Sequence, residues 1–261
     1  MIQNKNQKAT ITDIAAYRAA RRRAGNIRWV LILVFLVACM FGGYFFAISS
    51  FFSITQIQVE GSTTLDAQRI IELSNVQLGD NIFSVDRGRT VQRIQLEPRV
   101  KTVEISRRLP HTLLIQVTER EAVAYMLANG KLLALDETGQ VLQRYESWSN
   151  LDLPLISGVD LLEYGSLPGV TIGGAGMEAA LEILGALPED AEDIGEINVA
   201  NPQFIKLYTV SGIEVRLGDS RDFADKYLVY SSIIQDNRME QAAPLAYIDV
   251  SIVSKPTLTY R

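Results

Sequence analysis

Twenty residues without a charge, WVLILVFLVACMFGGYFFAI from Trp29 to Ile48, constrain this chain more than any other feature. A helix rises ~1.5 Å per residue, so a run of this length matches the hydrocarbon core of a bilayer. Trp29 stands at one end and Tyr44 near the other, where aromatic side chains favour the membrane interface. The preceding residues 1–28 hold seven basic side chains against the single acid Asp13, and Arg21, Arg22, Arg23 and Arg28 lie against the apolar run. Positive charge stays on the cytoplasmic side, so these arginines act as the topology signal: residues 1–28 inside as a tail, 29–48 across the bilayer, 49–261 outside. Ala47-Ile48-Ser49 faintly resembles a signal-peptide cleavage site, but the apolar run is longer than a usual signal core and an uncleaved anchor is the better reading.

Charge and rare residues then exclude whole classes of function. Net charge is −5; no aromatic residues interleave the N-terminal arginine cluster, and beyond residue 28 the chain carries 18 basic against 29 acidic residues, so nucleic acid is not an expected partner. One histidine, His111, and one cysteine, Cys39, exclude an internal disulfide and any His/Cys metal cluster. A nucleophile needing an imidazole base would have to use His111 itself. No cofactor is expected, and the chain does not read as an enzyme.

Beyond the membrane the hydrophobic period changes repeatedly. ITQIQVEG (54–61) alternates as a half-buried strand that Gly61 ends. STTLDAQRIIELS predicts a helix capped by Thr64, with Ala67, Ile70, Ile71 and Ser74 on one face. GDNIFSVD (79–86) predicts a turn, a short apolar plug of Ile82 and Phe83, and Asp86 as the cap of a second helix with Val91 and Ile94 inward, stopped by Pro98. Val103 and Ile105, then Leu113, Ile115 and Val117, flank Arg108-Leu109-Pro110-His111, a hairpin with His111 as an exposed turn residue. The order is β-α-α-β-β over residues 49–121.

From Ala122 to 261 the pattern is β-rich. Hairpins are expected at 132–142, turning at Asp136-Glu137-Thr138-Gly139, and at 204–218, turning at Ser211-Gly212. Met177, Ala180, Leu181 and Leu184 recur at helical spacing, as do Phe223, Tyr227, Tyr230 and Ile234, each set covering a sheet face. The fold class is α+β: a transmembrane helix, a small β-α-α-β-β domain, and a mostly antiparallel sheet with covering helices.

These elements together resemble the FtsQ/DivIB family of bacterial division proteins. The resemblance rests on IQVEG after the membrane helix, GDNIFSVD, RRLPHTLLIQVTERE, LALDETGQVL, and GIEVRLG followed by a Lys-containing helix. It spans roughly residues 28–260. Ala122 stands where the family often has Pro, and Asp249-Val250-Ser251 where it has Asp-Leu-Arg. The resemblance implies a non-enzymatic division scaffold at the septum, anchored once in the cell membrane. Its first domain would be a POTRA domain that helps recruitment, and its second would bind FtsB/DivIC-like and FtsL-like partners. In the family an aromatic near the C-terminus and the Asp-Leu-Arg strand contribute to that surface, which equal spacing carries to Tyr260, Ser251 and Ile252.

The residues support one part of this unaided. Ile248, Val250 and Ile252 alternate with Asp249 and Ser251 on a late strand, and Thr257, Leu258 and Tyr260 continue along its edge after Pro256. An uncovered edge accepts a partner strand through its unpaired backbone groups. Other motifs carry less. EDAEDIGE (189–196) lacks the ligand order of a calcium loop and reads as solvated. GGAG (173–176) lacks a P-loop lysine and reads as a helix start. Glu119 and Glu121 could sit on one face as acid and base, the basis of an alternative reading as a membrane-anchored envelope hydrolase. A charged junction between domains suits them better. An outer-membrane assembly protein is disfavoured by the single POTRA-like unit.

Overall fold

The computed structural model describes residues 28–146, 151–159, 167–188, 191, 193–239 and 244–261. Arg21, Arg22 and Arg23, and Glu189, Asp190 and Glu192 of the acidic run, lie outside the described residues. Helix α1 (Arg28–Ala47) is long and apolar enough to cross a membrane, and none of its apolar window is buried against protein.

The described residues divide into two compact units, one of those within 1–58, 76–86 and 106–114, the other of those within 59–75, 87–105 and 115–261. Elements follow in the order β1 (Gln56–Glu60), α2 (Ala67–Ser74), α3 (Arg87–Ile94), β2 (Val100–Arg108) and β3 (Thr112–Glu119), with β3 between β1 and β2 in a three-stranded sheet. This is the expected β-α-α-β-β order. In the first unit Ile54, Ile82 and Leu113 are buried; in the second, Ile70, Ile94, Ile115 and Val117 are. Gly61 has φ +82°, and a Cβ there would stand 2.2 Å from the Val117 carbonyl oxygen, so the turn out of β1 requires glycine.

Two details differ from expectation. The cap of α2 is Asp66, whose carboxylate accepts the Gln68 amide at 3.0 Å, because Thr64 is held elsewhere by Glu119. Phe83 does not join the plug: only Ile82 is buried, while the Phe83 ring stays exposed against Phe52 at 5.0 Å between centroids.

The remaining strands form one sheet. In chain order they are β4 (Ala124–Ala128), β5 (Lys131–Leu135), β6 (Val141–Tyr145), β7 (Leu155–Ser157), β8 (Ile194–Asn198), β9 (Ile205–Thr209), β10 (Glu214–Gly218), β11 (Leu245–Asp249) and β12 (Thr257–Tyr260). They lie side by side as β12-β11-β10-β9-β8-β7-β4-β5-β6. Most pairs are antiparallel; β4–β7, β7–β8 and β10–β11 are parallel. Both expected hairpins are present as β5–β6 and β9–β10. Helices α4 (Ala175–Ala186) and α5 (Phe223–Met239) bury Met177, Ala180, Ile183, Phe223 and Tyr230 in one cluster with Leu133, Leu207, Val215 and Ile248, so both cover the same face. Gly176 sits where a Cβ would come within 3.0 Å of the Val199 carbonyl oxygen just past β8, so close packing accounts for this glycine of GGAG. Asp193 accepts the Tyr230 hydroxyl, and Glu196 lies within β8 with Ser157 donating to it, so this half of the acidic run is structural.

Candidate partner-binding edge

The segment from α5 to β12 decides what the large sheet can offer a partner. β10 and β11 are parallel, with Val215 opposite Ile248 and Arg216 opposite Asp249, so α5 is the crossover a parallel pair needs. Near its start Lys226 is buried and donates to the Asp219 carbonyl oxygen at 2.9 Å and to its carboxylate at 3.2 Å, which ties the helix to the end of β10. The Arg221 side chain beside Asp219, together with Lys226, outweighs burial and holds the Asp219 carboxyl below its usual range.

The alternation along β11 sorts the candidate residues. Ile248 and Val250 are fully buried, so their side chains belong to the core and are not presented to solvent. The expected strand does not run on through Ile252. Asp249 takes the Ser251 amide at 3.0 Å and the Ser251 hydroxyl at 2.6 Å with one carboxylate oxygen, Lys255 donates its amide to Ile252 at 2.9 Å, and the chain turns back. A short acidic side chain bonding two residues on makes a turn, and Pro256 has no amide with which to continue a ladder. Ser251 and Ile252 therefore sit exposed in the turn. Thr257, Leu258 and Tyr260 do not continue along the same line but fold back as β12, antiparallel to β11, with Leu258 opposite Ile248 and Tyr260 opposite Leu245.

Directly opposed residues share a face, so Leu258 and Tyr260 lie on the side of the sheet that carries Ile248 and Leu245. They remain 39% and 46% exposed. On the other face runs a polar ladder of Lys206, Glu214, Arg216 and Tyr247, with the Arg216 guanidinium 4.0 Å from the Tyr247 ring centroid. Thr259 stands opposite Tyr247 at its border. The two edges of the sheet are unequal. Along β6 the segment 169–171 supplies hydrogen bonds through Gly169 and Val170. No strand pairs with the outer side of β12 among the described residues. Arg261 fixes the end of β12 by donating from Nη2 to the Gly212 carbonyl at 2.7 Å and from its amide to Pro244 at 2.8 Å, contacts that periodicity does not announce. Beside the β11–β12 turn lies a groove of about 1060 Å³ lined in part by Arg216, Arg221, Lys226, Asp249, Ser251 and Val253.

Of the two carboxylates considered for catalysis, Glu121 is exposed and Glu119 is already occupied. Glu119 accepts the Ser62 hydroxyl at 3.0 Å and the amides of Thr63 at 2.7 Å and Thr64 and Leu65 at 3.1 Å, besides both threonine hydroxyls. Burial would raise its pKa, but the Thr64 hydroxyl and the three amides lower it from 4.5 to about 2. Arg120 donates to buried Asp136 at 2.7 Å, and Lys101 pairs with Glu137 at 2.9 Å. His111 sits in the β2–β3 turn, its carbonyl oxygen accepting the Thr55 amide at 2.9 Å and its Nδ1 lying 3.2 Å from the Thr55 hydroxyl. Arg28 opens α1.

A β-α-α-β-β segment that follows a helix long and apolar enough to cross a membrane, and precedes an open-edged sheet, has the element order of a POTRA protein. Residues 52–120 match the model of the FtsQ-type POTRA domain, and residues 124–251 that of the C-terminal domain of the cell division proteins FtsQ/DivIB. The chain is 30% identical over 236 residues to a cell division protein FtsQ of Syntrophotalea carbinolica, covering 85% of this chain and 79% of that one. It is 29% identical over 246 residues to FtsQ of Geotalea daltonii, covering 92% and 88%, and 27% identical over 212 residues to a cell division protein DivIB of Clostridium botulinum, covering 79% and 81%. The chain belongs to the FtsQ/DivIB family of cell division proteins.

Proposed function

We propose that this protein is a non-enzymatic scaffold of the division septum that binds FtsB/DivIC-like and FtsL-like single-pass partners by strand addition at β12. In this reading residues 1–28 lie in the cytoplasm, α1 anchors the chain once, 49–121 act as a POTRA domain helping recruitment, and 122–261 act as the partner-binding β-domain. The observation that carries it is the outer edge of β12, with which no strand pairs among the described residues, with Leu258 and Tyr260 exposed at its border. Backbone groups supply the affinity of an added strand, and side chains at the border supply its selectivity. Ile248 and Val250 contribute by holding β11 rigid from the core side, while Ser251 and Ile252 present the turn and Thr257 starts the edge.

The test uses the full chain in nanodiscs titrated with partner ectodomains. Thr259→Pro removes one amide and distorts the edge; Tyr260→Ala removes an aromatic anchor, a residue type that dominates interface energetics and whose loss costs about 2 kcal/mol or more at a hot spot. Both should weaken binding at least tenfold while circular dichroism stays unchanged, and a fluorescent fusion should lose its partners from the septum. Unchanged affinity in both folded variants would defeat the proposal.

A further inference from the structure

The end of α1 is locked to the loop between α2 and α3. Asn81 Nδ2 donates to the Ala47 carbonyl at 2.8 Å, the Ile82 amide donates to Phe52 at 2.9 Å, and Phe52 packs on Phe46 at 5.2 Å and on Phe83 at 5.0 Å between ring centroids. Arg107 closes the cluster, its guanidinium 5.8 Å from the Phe83 centroid and its Nη2 donating to the Val85 carbonyl at 2.9 Å. The loop therefore cannot swing away from the helix end without breaking these contacts. A helix of 20 residues is ~30 Å long, so its last turn sits where hydrocarbon gives way to headgroups.

Around that point the small domain exposes large apolar side chains from three separate segments. Phe51 is 57% exposed, Leu78 66%, Phe83 43% and Leu109 58%. Leu78 adjoins Gly79, whose amide donates to Ile54, and Leu109 lies two residues before His111, which receives the Thr55 amide. Both are thus moored to the residues that immediately follow Phe52. Single exposed apolar residues are ordinary. Four converging on the exit of a membrane helix, with aromatic rings and an arginine among them, have the chemistry of the interfacial layer.

We propose that Phe51, Leu78, Phe83 and Leu109 form a seat that inserts into the headgroup–acyl boundary of the outer leaflet and holds this end of the domain on the membrane. The partner is the lipid surface itself, continuous with the lipid around α1. The proposal rests on α1 spanning the bilayer.

The test places single nitroxide labels in the full chain carrying Cys39→Ala, reconstituted at one chain per nanodisc of zwitterionic and anionic phospholipid. Labels go on Phe41→Cys, Leu78→Cys and Leu109→Cys, and collision with oxygen is compared with collision with a water-soluble nickel chelate. Expected is preference for oxygen at all three, deepest at Phe41 and shallower at Leu78 and Leu109. Oxygen preference at Phe41 with nickel preference at both Leu78 and Leu109 overturns the seat while leaving the anchor intact. Nickel preference at all three removes the anchor and the seat with it. Shielding of Leu78 and Leu109 only when several chains share a disc assigns the surface to a second copy and also overturns the proposal.

Discussion

Replacing Glu119 with Gln keeps the shape of the side chain and removes the charge that organises the turn before α2. Four donors converge on Oε1, the Ser62 hydroxyl and the amides of Thr63, Thr64 and Leu65, and the Thr63 and Thr64 hydroxyls point at Oε2. Glutamine offers one oxygen, so its NH2 must face donors and leave some of them unpaired. Burial opposes the charged form, and the hydroxyl and amide bonds overcome it to hold the carboxyl at about 2 against an ordinary 4.5. That difference corresponds to roughly 3 kcal/mol at neutral pH, and partial exposure reduces it to about 2 kcal/mol. Because the folded pKa is depressed, the contribution is complete above pH 4.5 and is lost as pH falls toward 2. In a chain of this size Glu119→Gln should lower Tm at pH 7 by roughly 4–8 °C, and at pH 3 less than about half of that gap should survive. Thermal scans of the full chain in detergent across that range, with amide exchange of the peptide covering residues 61–75, measure both. Equal Tm values at pH 7, or a gap that does not shrink on acidification, would refute the account of Glu119 as a charge-dependent clasp.

Other perturbations give distinct readouts. Arg120→Ala strips the 2.7 Å partner from buried Asp136, whose carboxyl is held down against burial by Thr138, Gln140 and Arg120; a loss of about 2 kcal/mol is expected by thermal unfolding, and Arg120→Lys should restore only part of it. Gly61→Ala places a Cβ 2.2 Å from the Val117 carbonyl oxygen at positive φ, so it should cost more than about 2 kcal/mol and reduce the yield of folded protein. Arg261→Ala removes the 2.7 Å bond to Gly212 and should speed exchange of the β12 amides about two- to fivefold, corresponding to about 0.5–1 kcal/mol, without altering the Tm of the large sheet.

Strongly periodic segments were legible from the sequence alone. Ile70 with Ser74, Leu113 with Ile115 and Val117, and the Phe223 and Tyr230 pair were all placed on buried faces by spacing and are buried. The misplaced residues share a physical cause, which is that several side-chain roles compete for one position. Thr64 has the composition of a cap, but Glu119, 55 residues away, takes its amide and leaves Asp66 to cap α2. Phe83 has the hydropathy of a plug, but the aromatic cluster at the end of α1 gives it a partner outside the domain core. β7 lies between two parallel neighbours, buries only Ile156 fully and is three residues long, too short for any period to register. Within the candidate site, the edge position of the last strand was readable from Pro256 and the residues after it, whereas β11 lies inside the sheet. The fold-back into β12 was not, because the Asp249 carboxylate bonds to Ser251 rather than complementing any hydrophobic pattern.

Under the proposed strand addition, that fold-back shifts where recognition has to come from. Had the strand run straight through Ile252, a partner would meet β11 itself, with Ile248 and Val250 buried beneath it as they are here. With β12 inserted, β11 is saturated on both sides by β10 and β12, and the open backbone belongs to a four-residue strand whose side chains are all exposed. A strand so short offers few hydrogen bonds, and it begins after Lys255 and Pro256, residues that commonly blunt an edge against indiscriminate pairing. Main-chain pairing alone would therefore be weak, and selectivity falls to Leu258 and Tyr260 at the border of the core face. A double substitution, Leu258→Ser with Tyr260→Ser, keeps every backbone group of the edge. It should nonetheless abolish measurable partner binding in nanodiscs while leaving exchange protection of β11 unchanged; retained binding would assign recognition to the backbone or to the groove beside the Ser251 turn instead.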